Sequence, residues 1–182
     1  MRQMQDKGRG KRAAGSLKNK LWFWPVLIAG TAADQVTKIL AFGHLEQGEY
    51  LRVIPYVLGL TTSENQGALF GMLPGRGALL AVFSVAALGL ILWFLYRDPS
   101  EGKWLPVGLG LIGSGAVGNF IDRAFNDGKV RDFVDLHIGP YELQKWWSHW
   151  PTFNIADALI CIGIAMVIYA ELKKPKAPGT RR

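Results

Sequence analysis

Cysteine and histidine are scarce in this chain, and each scarcity closes off a class of chemistry. The single cysteine, Cys161, cannot form a disulfide within the chain. It lies in a long apolar run, where a thiol is inert, so thiol catalysis is not expected. The three histidines, His44, His137 and His149, stand at no metal-ligand spacing from the aspartates discussed below, so no metal and no cofactor are expected. Ser63, Ser84, Ser114 and Ser148 lack a His or Lys base at a recognisable spacing, which disfavours a serine nucleophile. No long internal repeat is visible, so an inverted-repeat transporter finds no support.

Apolar runs, by contrast, are abundant. Hydrophobic residues make up 49% of the 182-residue chain, and four segments can cross a bilayer, which takes about 20 mostly apolar residues. They are Leu21–Phe42, Ala78–Tyr96, Trp104–Ile121 and Phe153–Leu172. Ala78–Tyr96 carries no charge, so it has no polar face to turn to water, and a soluble four-helix core is disfavoured. Leu21–Phe42 is too long for a signal-peptide core and holds Asp34 and Lys38, so it reads as a retained helix. Trp104–Ile121 is rich in glycine, which lets helices approach closely in lipid and marks it as the central helix.

The formal charge is +7, and the basic residues are placed unevenly. Seven precede Leu21, five follow Leu172, and Arg97 and Lys103 flank the link between the second and third segments. With four crossings these regions share one side, which the positive-inside rule makes cytoplasmic. The expected organisation is a basic cytoplasmic tail over 1–20, one membrane domain over 21–172, and a second basic tail over 173–182. Nucleic-acid binding is not expected, because the tails flank membrane spans and lack stacking aromatics.

Between the spans, Tyr50–Ile54 and Val57–Thr62 are β-prone and too short to cross, which suits a small sheet on the membrane surface. Val130–Ile138 reads as a further strand after the Asn126-Asp127-Gly128 turn. Residues 144–150 carry Trp146, Trp147 and Trp150, the pattern of a short interfacial helix. The expected fold is thus an all-α membrane protein with four transmembrane helices, a small extracytoplasmic β element and an interfacial helix.

The unusual polar residues gather at one level of that topology. Asn65 and Gln66 precede the second span, Asn119, Asp122 and Arg123 close the third, Asp132 and Asp135 follow, and Asn154 and Asp157 open the fourth. An ionisable residue at membrane depth is a functional candidate by default. Two carboxylates brought together there cannot both ionise cheaply, so one keeps its proton while the other can act as a base. A proton-coupled transporter would need polar residues along a full path, and the cytoplasmic half of the spans is almost wholly apolar. A lipid-binding scaffold would leave the aspartates and asparagines without a use.

Five motifs occur in order: Asp34-Gln35-Val36-Thr37-Lys38, Asn65-Gln66-Gly67-Ala68-Leu69-Phe70, the Gly115–Arg123 stretch ending Gly118-Asn119-Phe120-Ile121-Asp122-Arg123, Val130-Arg131-Asp132-Phe133-Val134-Asp135, and Phe153-Asn154-Ile155-Ala156-Asp157. Together they resemble the bacterial lipoprotein signal peptidase family, also called signal peptidase II, from Ala33 to about Gly163. The resemblance implies a four-span aspartyl protease of the bacterial cytoplasmic (inner) membrane. Its activity would be removal of signal peptides from prolipoproteins just before a diacylglyceryl-modified cysteine. It implies that Asp132 and Asp157 are the catalytic pair, with Asn65, Asn119, Arg123 and Asn154 as supporting active-site residues. The expected partners are lipidated prolipoproteins and membrane lipids, with the enzyme acting as a monomer.

Simpler uses exist for each residue. Asp34 and Lys38, four apart, can form a structural pair on one helix face. Asn65 could cap a helix, and Asn119 and Asn154 could bond between helices. Arg123 could snorkel to head groups, fix Asp122, or bind a peptide carbonyl. Asp122 and Asp135 read as solvated or salt-bridged.

Overall fold

A computed structural model describes residues 19–67, 75–97, 102–139 and 150–173. Helix α1 (Phe23–His44) leads into the strands β1 (Tyr50–Ile54) and β2 (Leu58–Asn65). Helices α2 (Gly77–Arg97) and α3 (Trp104–Phe125), strand β3 (Val130–Leu136) and helix α4 (Ile155–Leu172) follow. All four helices are long and apolar enough to cross a membrane. The interfacial helix expected at 144–150 lies, apart from Trp150, outside the described residues.

Why α3 sits in the middle follows from its glycines. In its most apolar 18-residue window 56% is buried, against 11–17% in the other three helices. A Cβ on Gly163 of α4 would stand 2.6 Å from the Gly108 oxygen of α3, so these two helices touch backbone to backbone. A large side chain at either position would push them apart. The outer faces of α1, α2 and α4 expose Val36, Ile39, Val82, Leu90, Ile164 and Ile168, as expected of lipid-facing helices. Helix α1 buries Phe23, Gly30, Asp34, Lys38 and Ala41, which recur at steps of three, four and seven and form one stripe. The ends of α3 and α4 differ from the spans expected. Helix α3 runs on past Ile121 to Phe125, which brings Asp122 and Arg123 into its last turn. Helix α4 begins at Ile155 because Phe153 bridges to Val134 of β3 and Asn154 takes the cap.

The strands form one antiparallel sheet in the order β1-β2-β3. Its register sets Asn65 opposite Val130 and Ser63 opposite Asp132, with an irregularity between Leu60 and Ser63. The turn before β3 places Asp127 and Gly128 at φ 49° and 78°, the left-handed region that Asx-Gly sequences tolerate. Backbone bonds from Phe133 and Val134 to the Phe153 oxygen tie the sheet to the start of α4. That tie carries Asp132 to Asp157.

Candidate active site

Asn154 is where the chain joins its two aspartates. Its backbone is extended (φ −127°, ψ −179°), the usual state of an N-cap. The Asp157 N–H donates to Asn154 Oδ1 at 3.0 Å, and the Asp157 side chain reaches back to the Asn154 N–H, completing a capping box. The same amide donates through Nδ2 to Asp132 Oδ1 at 2.6 Å and to Asn119 Oδ1 at 3.2 Å. Asn119 in turn donates to Asp157 Oδ1 at 2.9 Å. Two buried asparagines thus hold both carboxylates with charge-assisted bonds. Asn65 closes the arrangement by donating to Asp132 Oδ2 at 3.1 Å, so each oxygen of Asp132 meets an amide.

Asp132 is 1% exposed. Burial pushes its carboxyl up to about 7, and the Asp157 charge pushes the same way, against the pull of the Asn65 and Asn154 amides and Lys38. Asp157 is half-buried and lines a cleft of about 550 Å³ between α2, α3, α4 and residues 150–153. Asn65, Asn119 and Arg123 line its polar wall, while Leu80, Phe83, Ala87, Ile112 and Ile160 make most of the rest apolar. Cys161 also lines this cleft. No cluster of three or more potential metal ligands occurs among the described residues.

Each remaining residue finds a defined place. Asn65 ends β2 rather than capping a helix, and its Oδ1 accepts from the Gly67 N–H at 2.9 Å. Arg123 donates to the Gly67 oxygen at 3.1 Å and to the Asn119 oxygen at 3.4 Å. Its buried Nε finds no acceptor among the described residues. Arg123 does not fix Asp122; Arg131 does, at 2.7 Å. Asp122 is fully desolvated and salt-bridged, not solvated. Asp135 is buried beside His137, 3.5 Å away.

Lys38 lies 2.8 Å from Asp34, both wholly buried. Their contacts go further than a pair on one helix. Asp34 Oδ1 accepts the Ala156 N–H at 2.9 Å, so a carboxylate of α1 satisfies an unpaired amide at the positive end of α4. Lys38 also reaches Asp122 at 3.2 Å and Asn119 at 3.1 Å. Gln35 and Arg131 belong to the motifs but carry no role that the sequence alone reveals. Their only signal was position, Gln35 beside Asp34 and Arg131 beside Asp132.

Comparison with known proteins agrees with this geometry. Residues 26–173 match the family described as signal peptidase (SPase) II. The chain is 35% identical over 140 residues to proteins named lipoprotein signal peptidase from Staphylococcus aureus strains MRSA252 and JH9, covering 77% of this chain and 81% of each relative. It also resembles a solved bacterial membrane enzyme structure, with a TM-score of 0.72 and 32% identity over 86% of this chain and 94% of that one. A second such structure gives a TM-score of 0.71 at 32% identity, over 84% of this chain and 94% of that one. With the family matched along most of its length, its membrane helices in place and its motif residues joined in one hydrogen-bonded network at and behind the cleft, this chain belongs to the signal peptidase II family.

Proposed function

We propose that this protein is an intramembrane aspartyl endopeptidase that removes the signal peptide from lipidated prolipoproteins, cutting before the diacylglyceryl-modified cysteine. The observation that carries the reading is Asn154, which caps α4 at Asp157 while its amide grips Asp132, with Asn119 bracing both. That arrangement sets Asp157 on the polar wall of an otherwise apolar cleft and buries Asp132 directly behind it, both tied to the same asparagine. A signal helix can lie along the apolar wall, and its scissile carbonyl then meets the polar end.

The chemistry needs one proton shared by the pair. Asp132, deeply buried and raised to about 7, carries that proton and donates it to the scissile carbonyl oxygen. Asp157, facing the cleft, takes a proton from water as the water oxygen attacks the carbonyl carbon. The tetrahedral diol collapses when Asp157 passes its proton to the amide nitrogen of the cysteine, the C–N bond breaks, and a diol hydroxyl returns a proton to Asp132, leaving a carboxylic acid and a free amine. Arg123 and Asn65, which both line the cleft, bind peptide carbonyls beside it.

The basic tails and the Arg97–Lys103 link support a topology with both termini cytoplasmic and the cleft's polar end toward the extracytoplasmic face. A lipidated substrate suits that depth, because each buried CH₂ holds it in the membrane by about 0.8 kcal/mol. The test incubates purified enzyme with a lipidated precursor and its unlipidated twin at equal concentration in one detergent. The lipidated precursor should lose its signal peptide much faster, and Asp132→Asn and Asp157→Asn should each abolish cleavage while remaining folded. Near-normal turnover by either variant would remove the aspartyl mechanism; equal rates on both substrates would remove the lipid from recognition.

A further inference from the structure

Behind the two aspartates lies a buried charge layer. The Lys38 ammonium has three donors, and three acceptors meet them: Asp34 Oδ2 at 2.8 Å, Asp122 Oδ2 at 3.2 Å and Asn119 Oδ1 at 3.1 Å. One cation against two fully buried carboxylates leaves the layer a charge short, which is costly away from water. Arg131 supplies the second cation. Its Nη2 donates to Asp122 Oδ1 at 2.7 Å and to Gln35 Oε1 at 3.1 Å, and its own backbone N–H donates to Asp122 Oδ2 at 2.8 Å. Gln35 then donates to Asp34 at 3.0 Å and to the Gly118 oxygen at 3.1 Å. Side chains from α1, α3 and β3 close into one network with two positive and two negative groups.

Arg131 is the chain neighbour of Asp132. Strand alternation turns the two side chains to opposite faces, so Arg131 meets α1 and α3 while Asp132 meets Asn65 and Asn154. Arg131 does not line the cleft. We infer that Arg131 is a positioning residue for the reaction proposed above: its grip on Asp122 neutralises the layer behind the aspartates and leaves Lys38 free to hold Asn119, the amide that orients Asp157. The inference rests on the aspartyl-peptidase reading and adds a residue to it. Without the guanidinium, Asp122 keeps Lys38 as its sole cationic partner, and the buried layer acquires a net negative charge. That charge disfavours ionisation of the pair, so both limbs of its pH profile move to higher pH. Among the described residues, the other charged groups near the site are Arg123 on α3, the buried Asp135 beside His137 on the far part of the sheet, and Glu64 of β2, which stands opposite Arg131 in the strand register and is paired with Lys129 at 2.6 Å.

The experiment measures kcat and KM on a lipidated precursor from pH 5 to 9. It compares the full-length wild type with Arg131→Met, Arg131→Lys, Asp122→Asn and the double variant Arg131→Met/Asp122→Asn. Arg131→Met should lower kcat at least tenfold, change KM less than twofold, and shift the profile upward by about half a pH unit or more, as expected for one charge in a poorly screened site. Arg131→Lys keeps the charge and should return the profile to its wild-type position, though not all of kcat. Asp122→Asn should shift the profile downward, and the double variant should bring it back. An Arg131→Met profile superimposed on the wild type would overturn the inference, as would a double variant shifted as far as Arg131→Met. If Arg131→Met fails to accumulate, an unshifted Asp122→Asn profile overturns it equally. Near-normal turnover by Asp132→Asn would instead refute the aspartyl mechanism on which the inference rests, whatever Arg131 does.

Discussion

Replacing Asn154 separates two jobs that one side chain performs. As N-cap it accepts the Asp157 N–H at 3.0 Å; as amide donor it bonds Asp132 Oδ1 at 2.6 Å. Asn154→Ser retains a capping oxygen and loses the amide donor, while Asn154→Ala loses both. A lost cap destabilises by about 1 kcal/mol, so the alanine variant should unfold more easily than the serine variant by roughly that amount. A lost bond to a charged acceptor is worth about 1.5–3 kcal/mol. If that loss falls on the transition state, kcat/KM should drop roughly 10- to 150-fold, and to a similar level in both variants. Asp132 would also lose an amide that opposes its raised pKa of about 7, so its protonated form should persist to higher pH. The assay pairs initial rates on a lipidated precursor with thermal unfolding followed by circular dichroism in the same detergent. Wild-type turnover by Asn154→Ser would show that the Asn154–Asp132 bond has no part in the reaction. Equal stability of the two variants would remove the capping role.

Two further outcomes are expected. Asp132 binds its proton more tightly when folded (about 7) than when unfolded (3.8), so it destabilises the folded state progressively as pH rises through that interval. Thermal stability of the wild type should therefore fall between pH 4 and pH 7 by more than that of Asp132→Asn, and parallel curves would contradict the buried-carboxylate account. Cysteines introduced at Gly48 should react with an impermeant label applied from outside the cell, and cysteines at Gly102 should not. The reverse pattern would invert the proposed topology.

The spans were legible because lipid imposes a crude and strong requirement. Some twenty apolar residues in a row, as in Ala78–Tyr96, leave a helix little alternative. The strands were legible from β-prone runs bounded by Gly, Pro and Asn-Asp-Gly, and Val130–Ile138 and Tyr50–Ile54 match β3 and β1 closely. The candidate site was legible as a set of residues, because buried amides and carboxylates are too costly to occur beside four spans without a use. Only the tertiary structure decided who holds whom. The cap of α4 was foreshadowed by Asn154 three residues before Asp157, a purely local relation. That Asn154 also grips Asp132, twenty-two residues away, depends on Phe153 pairing with β3. Arg123 and Arg131 show the same limit: sequence offered Arg123, next to Asp122, as its partner, whereas the fold gives that carboxylate to Arg131 and Lys38. Hydropathy is a property of each segment alone and survives in one dimension. Pairing among buried charges depends on helix rotation and strand register, which arise only when separate segments pack.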